Sequence, residues 1–312
     1  MSAVNTEPLQ INHEKNQKDY PLVSVIINCY NGERYLKEAI ESVMKQTYEN
    51  WEIIYWDNRS TDSSLKIANS INCNKLKCYL APEHTNLNSA RNLAIKECSG
   101  KFIAFLDADD IWQSNKLELQ IPLFEDPDVA FVFSNFYIFY EYFHLPKRHL
   151  AYRRELPTGY ILEDLFEWLT VGLLTLIVRK NFIKDLDSPF DPRYDVIGDI
   201  VLTRQLSCKY KAASSNLPLA YWRRHKSSML HTEKLKYYEE IEDWLSTLPS
   251  KSPFFSNSII LKSIGLTKEI INIELQMKKS KLINAAILIK DLPWKKQVRY
   301  WIKLLRSLIL RR

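Results

Sequence analysis

The sequence predicts an α/β fold in which a doubly wound, mostly parallel sheet is flanked by helices and followed by a helical C-terminal region. Three observations carry that prediction. Short β-branched runs alternate with amphipathic helical stretches through the first third of the chain. Each run ends in a polar, turn-rich loop, and from about Leu235 onward the apolar spacing becomes wholly helical.

The first run is Val23-Ser24-Val25-Ile26-Ile27, closed by the turn residues Asn28-Cys29-Tyr30-Asn31-Gly32. Over residues 34–46, Tyr35, Leu36, Ala39, Ile40, Val43 and Met44 fall at helical spacing with polar residues between them. Residues 51–56 read as a second strand, 57–62 as its loop and 63–70 as a helix. A short strand at 77–80, a helix at 89–97 and a strand at 102–106 complete the alternation, so helices should cover both faces of the sheet. Beyond Trp112 the order loosens. A strand is expected at 129–133, then an aromatic-rich stretch through Phe143, an apolar segment at 165–178, a turn-rich boundary at 187–193 and a helix at 197–206.

Composition excludes several classes. With 312 residues, 46% hydrophobic and 26% charged, the chain is long enough to bury a sizeable core and is unlike a disordered or fibrous protein. A net charge of +6 is modest for this length and gives no reason to expect a nucleic-acid partner. Five scattered cysteines with no Cys-x-x-Cys pair point to a reducing, cytoplasmic compartment. Residues 1–20 are polar and read as a flexible lead without the apolar centre of a secretory signal. The segment 169–178 is shorter than the roughly 20 apolar residues a membrane span needs.

Open parallel sheets take ligands at the carboxyl ends of their strands, where loops line a crevice and the strands stay rigid. The loops 28–31, 57–62 and 107–110 are therefore the places to look for chemistry. In Phe105-Leu106-Asp107-Ala108-Asp109-Asp110 an apolar strand runs into three carboxylates, which repel one another unless a cation sits among them. Mg²⁺ or Mn²⁺ prefers oxygen ligands and leaves part of its coordination sphere for substrate phosphates, so this loop is suited to a metal diphosphate. A solvated acidic loop is the plainer reading of such a triplet. In the second acidic loop, Asp57 is placed to accept a hydrogen bond from a nucleobase imide, while Ser60 or Asp62 can cap the following helix.

The ordered set of these segments resembles family 2 glycosyltransferases of the GT-A fold. It comprises Val23 to Ile27, Tyr30-Asn31, Tyr35-Leu36, Gln46-Thr47-Tyr48, Glu52-Ile53-Ile54, Asp57, Ser60-Thr61-Asp62, Ala90-Arg91-Asn92, Gly100 and Phe105 to Asp110. The resemblance is close over the first third. It implies that Tyr30, Asn31 and Glu33 border a nucleotide, that Asp57 binds a base that is usually uracil, and that Arg91 lies near the nucleotide or its phosphates. It further implies that Asp107 sits by the ribose and metal and that Asp109 ligates the metal. Two departures stand out: Asn28-Cys29 where the family commonly has a proline, and Asp57-Asn58-Arg59 in place of Asp-Asp-Gly.

Downstream, Asp199 in Ile197-Gly198-Asp199-Ile200 resembles the family's acidic pair at a helix start, with Gly198 in place of the first acid. That makes Asp199 the candidate base, with Asp195 in reserve and a helix cap as its structural alternative. Trp222-Arg223-Arg224-His225-Lys226-Ser227-Ser228 resembles the family's loop over the diphosphate, which implies contacts from Arg224, His225 and Ser227; a basic surface loop is the simpler reading. Inversion in one displacement follows from the resemblance alone. The implied organisation is a catalytic domain over 21–232, with a nucleotide-sugar half at about 21–112 and an acceptor half at about 113–232, then a helical region over 233–312.

In the tail, Val298, Trp301, Ile302, Leu305, Leu308 and Ile309 share one helical face beside Lys295, Lys296, Arg299, Lys303 and Arg306. Such a helix can lie on an anionic membrane or pack on the catalytic domain. The expected partners are a nucleotide-sugar donor and a glycan or lipid-linked saccharide acceptor, with the protein peripheral at the inner membrane face. Only six glycines, and no Gly-x-Gly-x-x-Gly after the first strand, argue against a dinucleotide-binding dehydrogenase. A sugar-phosphate nucleotidyltransferase would carry a Gly-rich basic loop there. A catalytically silent nucleotide-sugar-binding or scaffold subunit is the alternative from another class.

Overall fold

A computed structural model describes residues 20–141, 147–184, 186, 188–225, 234–248, 258–278, 288–289 and 292. The expectations for Ser227 and for the basic tail over 295–312 lie outside the described residues.

The first part of the chain folds as its periodicity predicts. Strands β1 (Val23–Cys29), β2 (Trp51–Asp57), β3 (Leu76–Leu80) and β4 (Phe102–Phe105) alternate with helices α1 (Leu36–Met44), α2 (Ser64–Ser70) and α3 (Leu87–Lys96). β1 pairs in parallel with β2 on one side and β4 on the other, and β2 pairs in parallel with β3. The period-two alternation sorts the core into two layers. Val23, Val25 and Ile27 pack with Leu36, Ala39, Ile40 and Val43 of α1, whereas Ile26, Ile54 and Phe105 pack with Ala90 and Ala94 of α3. Both faces of the sheet are thus covered, as β-rich runs buried on each side require.

After β4 the sheet becomes mixed. The remaining strands are β5 (Ile111–Trp112), β6 (Val129–Tyr140), β7 (Lys147–Leu150), β8 (Ile177–Arg179) and β9 (Lys211–Arg224). The nine strands run in the order β3-β2-β1-β4-β8-β6-β9-β5, with β7 paired to β6. β8 lies antiparallel to both β4 and β6, β5 is antiparallel to β9, and β6 and β9 are parallel. Parallel pairing therefore dominates only in the first half. The expected strand at 129–133 extends to Tyr140, because Ser134 and Asn135 are buried strand residues rather than a turn. Asn135 bonds through its side chain to the backbone of Tyr152.

Between these strands run α4 (Lys116–Gln120), α5 (Leu162–Glu167), α6 (Lys180–Lys184) and α7 (Gly198–Ser207). The C-terminal helices α8 (Lys234–Thr247) and α9 (Ser258–Lys278) follow. Ile241, Trp244 and Leu245 of α8 and Ile260 and Ile264 of α9 bury themselves against Tyr194, Ile197, Ile200 and Val201, forming a third core cluster around α7. Among the described residues no helix is long and apolar enough to cross a membrane.

Candidate active site

The crevice opens where the chain leaves β1 toward neighbours on both sides, at the carboxyl ends of β1, β2 and β4. Two of its loops are laced together. Asn31 accepts the Thr61 N–H at 2.8 Å, Glu33 accepts the Ser63 N–H at 2.9 Å, and in return Ser60 Oγ and Asp62 accept the N–H groups of Asn31 and Glu33. Asn31 and Arg59 both adopt left-handed backbone, with φ of 55° and 64°. That explains why glycine is usual where Arg59 stands: the turn needs a positive φ, which glycine adopts without steric cost. The Arg59 guanidinium is carried away from the loop to the Pro82 carbonyl.

Asp57 lies deep at the end of β2. It is 0% exposed, with one carboxylate oxygen accepting the Tyr55 hydroxyl at 2.7 Å and the other the Ser60 N–H at 2.7 Å. Its carboxylate thereby shapes the loop. Asn58 is likewise engaged, clasping the backbone of Thr85 through both its amide atoms. Tyr30 is the open surface of this wall, 51% exposed and tilted against His84 with centroids 4.3 Å apart.

The carboxylate loop forms the floor. Asp107 receives Arg91 Nη2 at 2.9 Å, and the buried Arg91 is itself held by Asn88 and by the face of Phe190. Asp109 meets His225 Nε2 at 2.9 Å. Asp110 is buried, accepting the backbone N–H of Arg223 at 2.9 Å. Withdrawal from water, together with Asp109, pushes Asp107 up against the pull of Arg91, and it pushes Asp110 well above the usual carboxylate range. Gly32 lets the first loop come this close, since a methyl group there would lie 2.8 Å from Cys29 Sγ and 3.3 Å from Ala108 Cβ.

Arg223 is the residue that sequence reasoning missed. Adjacent strand residues point to opposite faces, so only one of the two arginines at the end of β9 can reach the loop. It is Arg223, which donates to the Asp109 carbonyl at 2.8 Å, pairs with Glu38 and lies over the Tyr35 ring. Arg224, expected to serve the diphosphate, instead lies against Trp222 and Tyr140. Tyr35 donates its hydroxyl to Glu141, and burial with that carboxylate raises its pKa to about 12.

Asp199 occupies the first turn of α7, where its Oδ1 accepts the Ile200 N–H at 2.9 Å. Burial pushes its carboxyl up to about 6, opposed by Arg91 and reinforced by Asp107. Geometry links it to the carboxylate loop: the preceding Gly198 packs on Asn88, Asn88 receives Arg91, and Arg91 pairs with Asp107. The reserve candidate, Asp195, is ion-paired with Lys236. Gly198 has a packing reason: a methyl group there would lie 2.3 Å from Asn88 Oδ1, and buried Asn88 holds the backbone of Asp191 and Tyr194.

A divalent cation fits this donor set. Asp107 and Asp109 keep 40% and 33% of their side-chain surface open, and an imidazole stands on Asp109. Among the described residues no three or more His, Cys, Asp or Glu converge as a closed cage. A hard cation that takes one or two carboxylates and completes its sphere with phosphate oxygens needs no such cage.

A half-parallel sheet with a carboxylate-tipped strand at its switch point defines the GT-A class of glycosyltransferase folds. The Glycosyl transferase family 2 description matches residues 24–184, just over half of the chain, and the chain belongs to that family. Two Escherichia coli relatives are each 32% identical. One, the UDP-Glc:alpha-D-GlcNAc-diphosphoundecaprenol beta-1,3-glucosyltransferase WfaP, matches over 67% of this chain and 79% of its own length. The other, WfgD, bears the same activity in its name and matches over 57% of this chain and 67% of its own length. In fold, the chain is similar to the mannosyltransferase PcManGT of Pyrobaculum calidifontis, solved with GDP-Man and Mn2+. The TM-score is 0.59 at 14% identity, covering 94% of this chain and 86% of that one.

Proposed function

We propose that this chain is an inverting, metal-dependent glycosyltransferase that moves a sugar from a nucleotide diphosphate, a UDP-sugar, to a hydroxyl of a lipid-linked saccharide in cell-surface glycan synthesis. The observation that carries the reading is the grouping of Asp107, Asp109 and Arg91 on one crevice, with the start of the Asp199 helix joined to Arg91 through Gly198 and Asn88. The names of WfaP and WfgD support the uridine donor and the diphosphate-lipid acceptor. The proposed division of the chain is a lead over 1–20, a catalytic domain over 21–232 and a helical region over 233–312.

In this mechanism Asp199 takes the proton from the acceptor hydroxyl as its oxygen bonds to the anomeric carbon, and the bond from that carbon to the diphosphate breaks with its electron pair leaving on the phosphate. Attack from the face opposite the leaving group inverts the centre. A bound Mg²⁺ or Mn²⁺, held by Asp109 beside Asp107, would stabilise charge on the departing diphosphate. Arg91 keeps Asp107 in place, and Tyr30 offers a face to the base. The tail over 295–312 would keep the enzyme beside an anionic inner membrane face, close to such acceptors.

A screen of nucleotide-sugars for metal-dependent release of nucleotide diphosphate tests the reading. UDP-sugars with a diphosphate-lipid saccharide should release UDP with Mn²⁺ or Mg²⁺ and not after chelation. Failure to consume any donor with any acceptor mixture would overturn it.

A further inference from the structure

The segment that leads into α7 is fixed from outside the sheet. Glu240 of α8 is only 7% exposed, and its carboxylate accepts three successive backbone N–H groups: those of Asp195 and Val196 at 2.9 Å and that of Ile197 at 3.3 Å. One turn along, Asp243 accepts the Tyr194 hydroxyl at 2.9 Å, and one turn back Lys236 pairs with Asp195. Positions 236, 240 and 243 are spaced i, i+4 and i+7, so a single stripe of α8 grips four consecutive residues, 194–197. Ile197 is the N-cap of α7 and its own side chain makes no capping bond. Asp199 follows two residues later.

A buried carboxylate that satisfies three amides is worth more than a surface ion pair, because each N–H would otherwise be left without a partner away from water. The same helix places Tyr237 within the electrostatic reach of Asp199 and Arg204. Asp199 thus lies within electrostatic reach of Arg91 from α3, Asp107 from the carboxylate loop, Tyr152 from the strand connection, Arg204 from its own helix and Tyr237 from α8.

We propose that Glu240 is a positioning residue for the transfer step: through the backbone of residues 195–197 it sets the start of α7 and hence the place of Asp199 opposite the donor. The inference rests on Asp199 acting as the base. It makes α8 part of the acceptor-side machinery rather than an appendage.

The experiment uses the full chain. Glu240→Gln keeps size and shape, but its amide nitrogen cannot accept an N–H, so part of the three-amide clasp is lost. The expected result is a fall in transfer kcat of roughly 10- to 100-fold, the cost of a small misplacement. The donor KM should stay within about twofold, and the acid limb of the pH–rate profile should move to lower pH as Asp199 gains water. Glu240→Asp should recover part of the loss. As a guard against a folding defect in Glu240→Gln, Asp243→Asn provides a milder variant with the same expected signature at smaller size. Unchanged kcat in both folded variants, or an equal loss of donor binding with an unmoved limb, overturns the positioning role. Asp199→Asn separates the two readings: full activity there sinks the base assignment and this inference with it, whereas an inactive Asp199→Asn beside unaffected Glu240→Gln and Asp243→Asn variants sinks the positioning role alone.

Discussion

At the scale of single residues, the crevice gathers groups whose charges are only partly balanced, and each imbalance has a measurable consequence. Removing the Asp109 charge with Asp109→Asn should lower the rate of nucleotide diphosphate release at saturating metal by at least about a hundredfold. Asp199 sits at about 6 rather than near the ordinary aspartate value. It must be ionised to accept a proton, so kcat should rise with pH along a limb near 6, and a bound cation should draw that limb lower. The same shift affects folding. A carboxyl whose pKa is raised in the folded state favours folding fully below the ordinary value and loses that contribution as pH climbs through 6. At pH 7, Asp199→Asn should therefore raise Tm by a few degrees while abolishing transfer, a trade seen at strained sites. Legibility at this scale was uneven. Asp107, Asp109, Arg91 and Asp199 stand out in the chain because their neighbours in sequence announce them. The burial of Asp57 does not, since β1 and β3 must first close on either side of it, and the reach of Arg223 does not, since Glu38 and Glu141 become its partners only once distant segments meet.

At the scale of elements, the first four strands and three helices could be read from periodicity, because buried β-branched runs and one-sided helices leave strong patterns. β9 could not. Its fourteen residues include Asn216 and Pro218, which read as turn punctuation, and the register against β6 shifts between Ser134 and Asn135, where a bulge accommodates the proline. β8 was hidden inside an apolar run whose length alone does not separate strand from helix. The junction of α3 with α7 yields a prediction of its own. Gly198→Ala should push Asn88 off its bonds to Asp191 and Tyr194, costing about 1–3 kcal/mol in chemical denaturation and lowering transfer more than donor binding. That crowding is also the reason the first position of the acidic pair holds no side chain here.

At the scale of the whole molecule, the C-terminal helices α8 and α9 share a core cluster with α5 and the start of α7. Trp244 is nearly fully buried among Tyr194, Ile197 and Val201 and stacks with Phe166. Trp244→Ala should cost about 3–5 kcal/mol by thermal or denaturant unfolding and should weaken acceptor transfer in the surviving folded fraction, because the start of α7 loses its backing. The helical nature of this region was legible from apolar spacing, but its docking was not, since Glu240 looks in sequence like any solvated helix glutamate.

The brace between the carboxylate loop and β9 also bears on how such enzymes can be rebuilt. Asp109 and Asp110 stand just before Trp112, yet Arg223 and His225, which hold them, are more than a hundred residues away. A chimera that joins residues 20–112 to the remainder of another protein would leave those carboxylates facing strange neighbours. The portable unit around the carboxylate loop is therefore discontinuous: it includes the end of β9, and these residues must be inherited together.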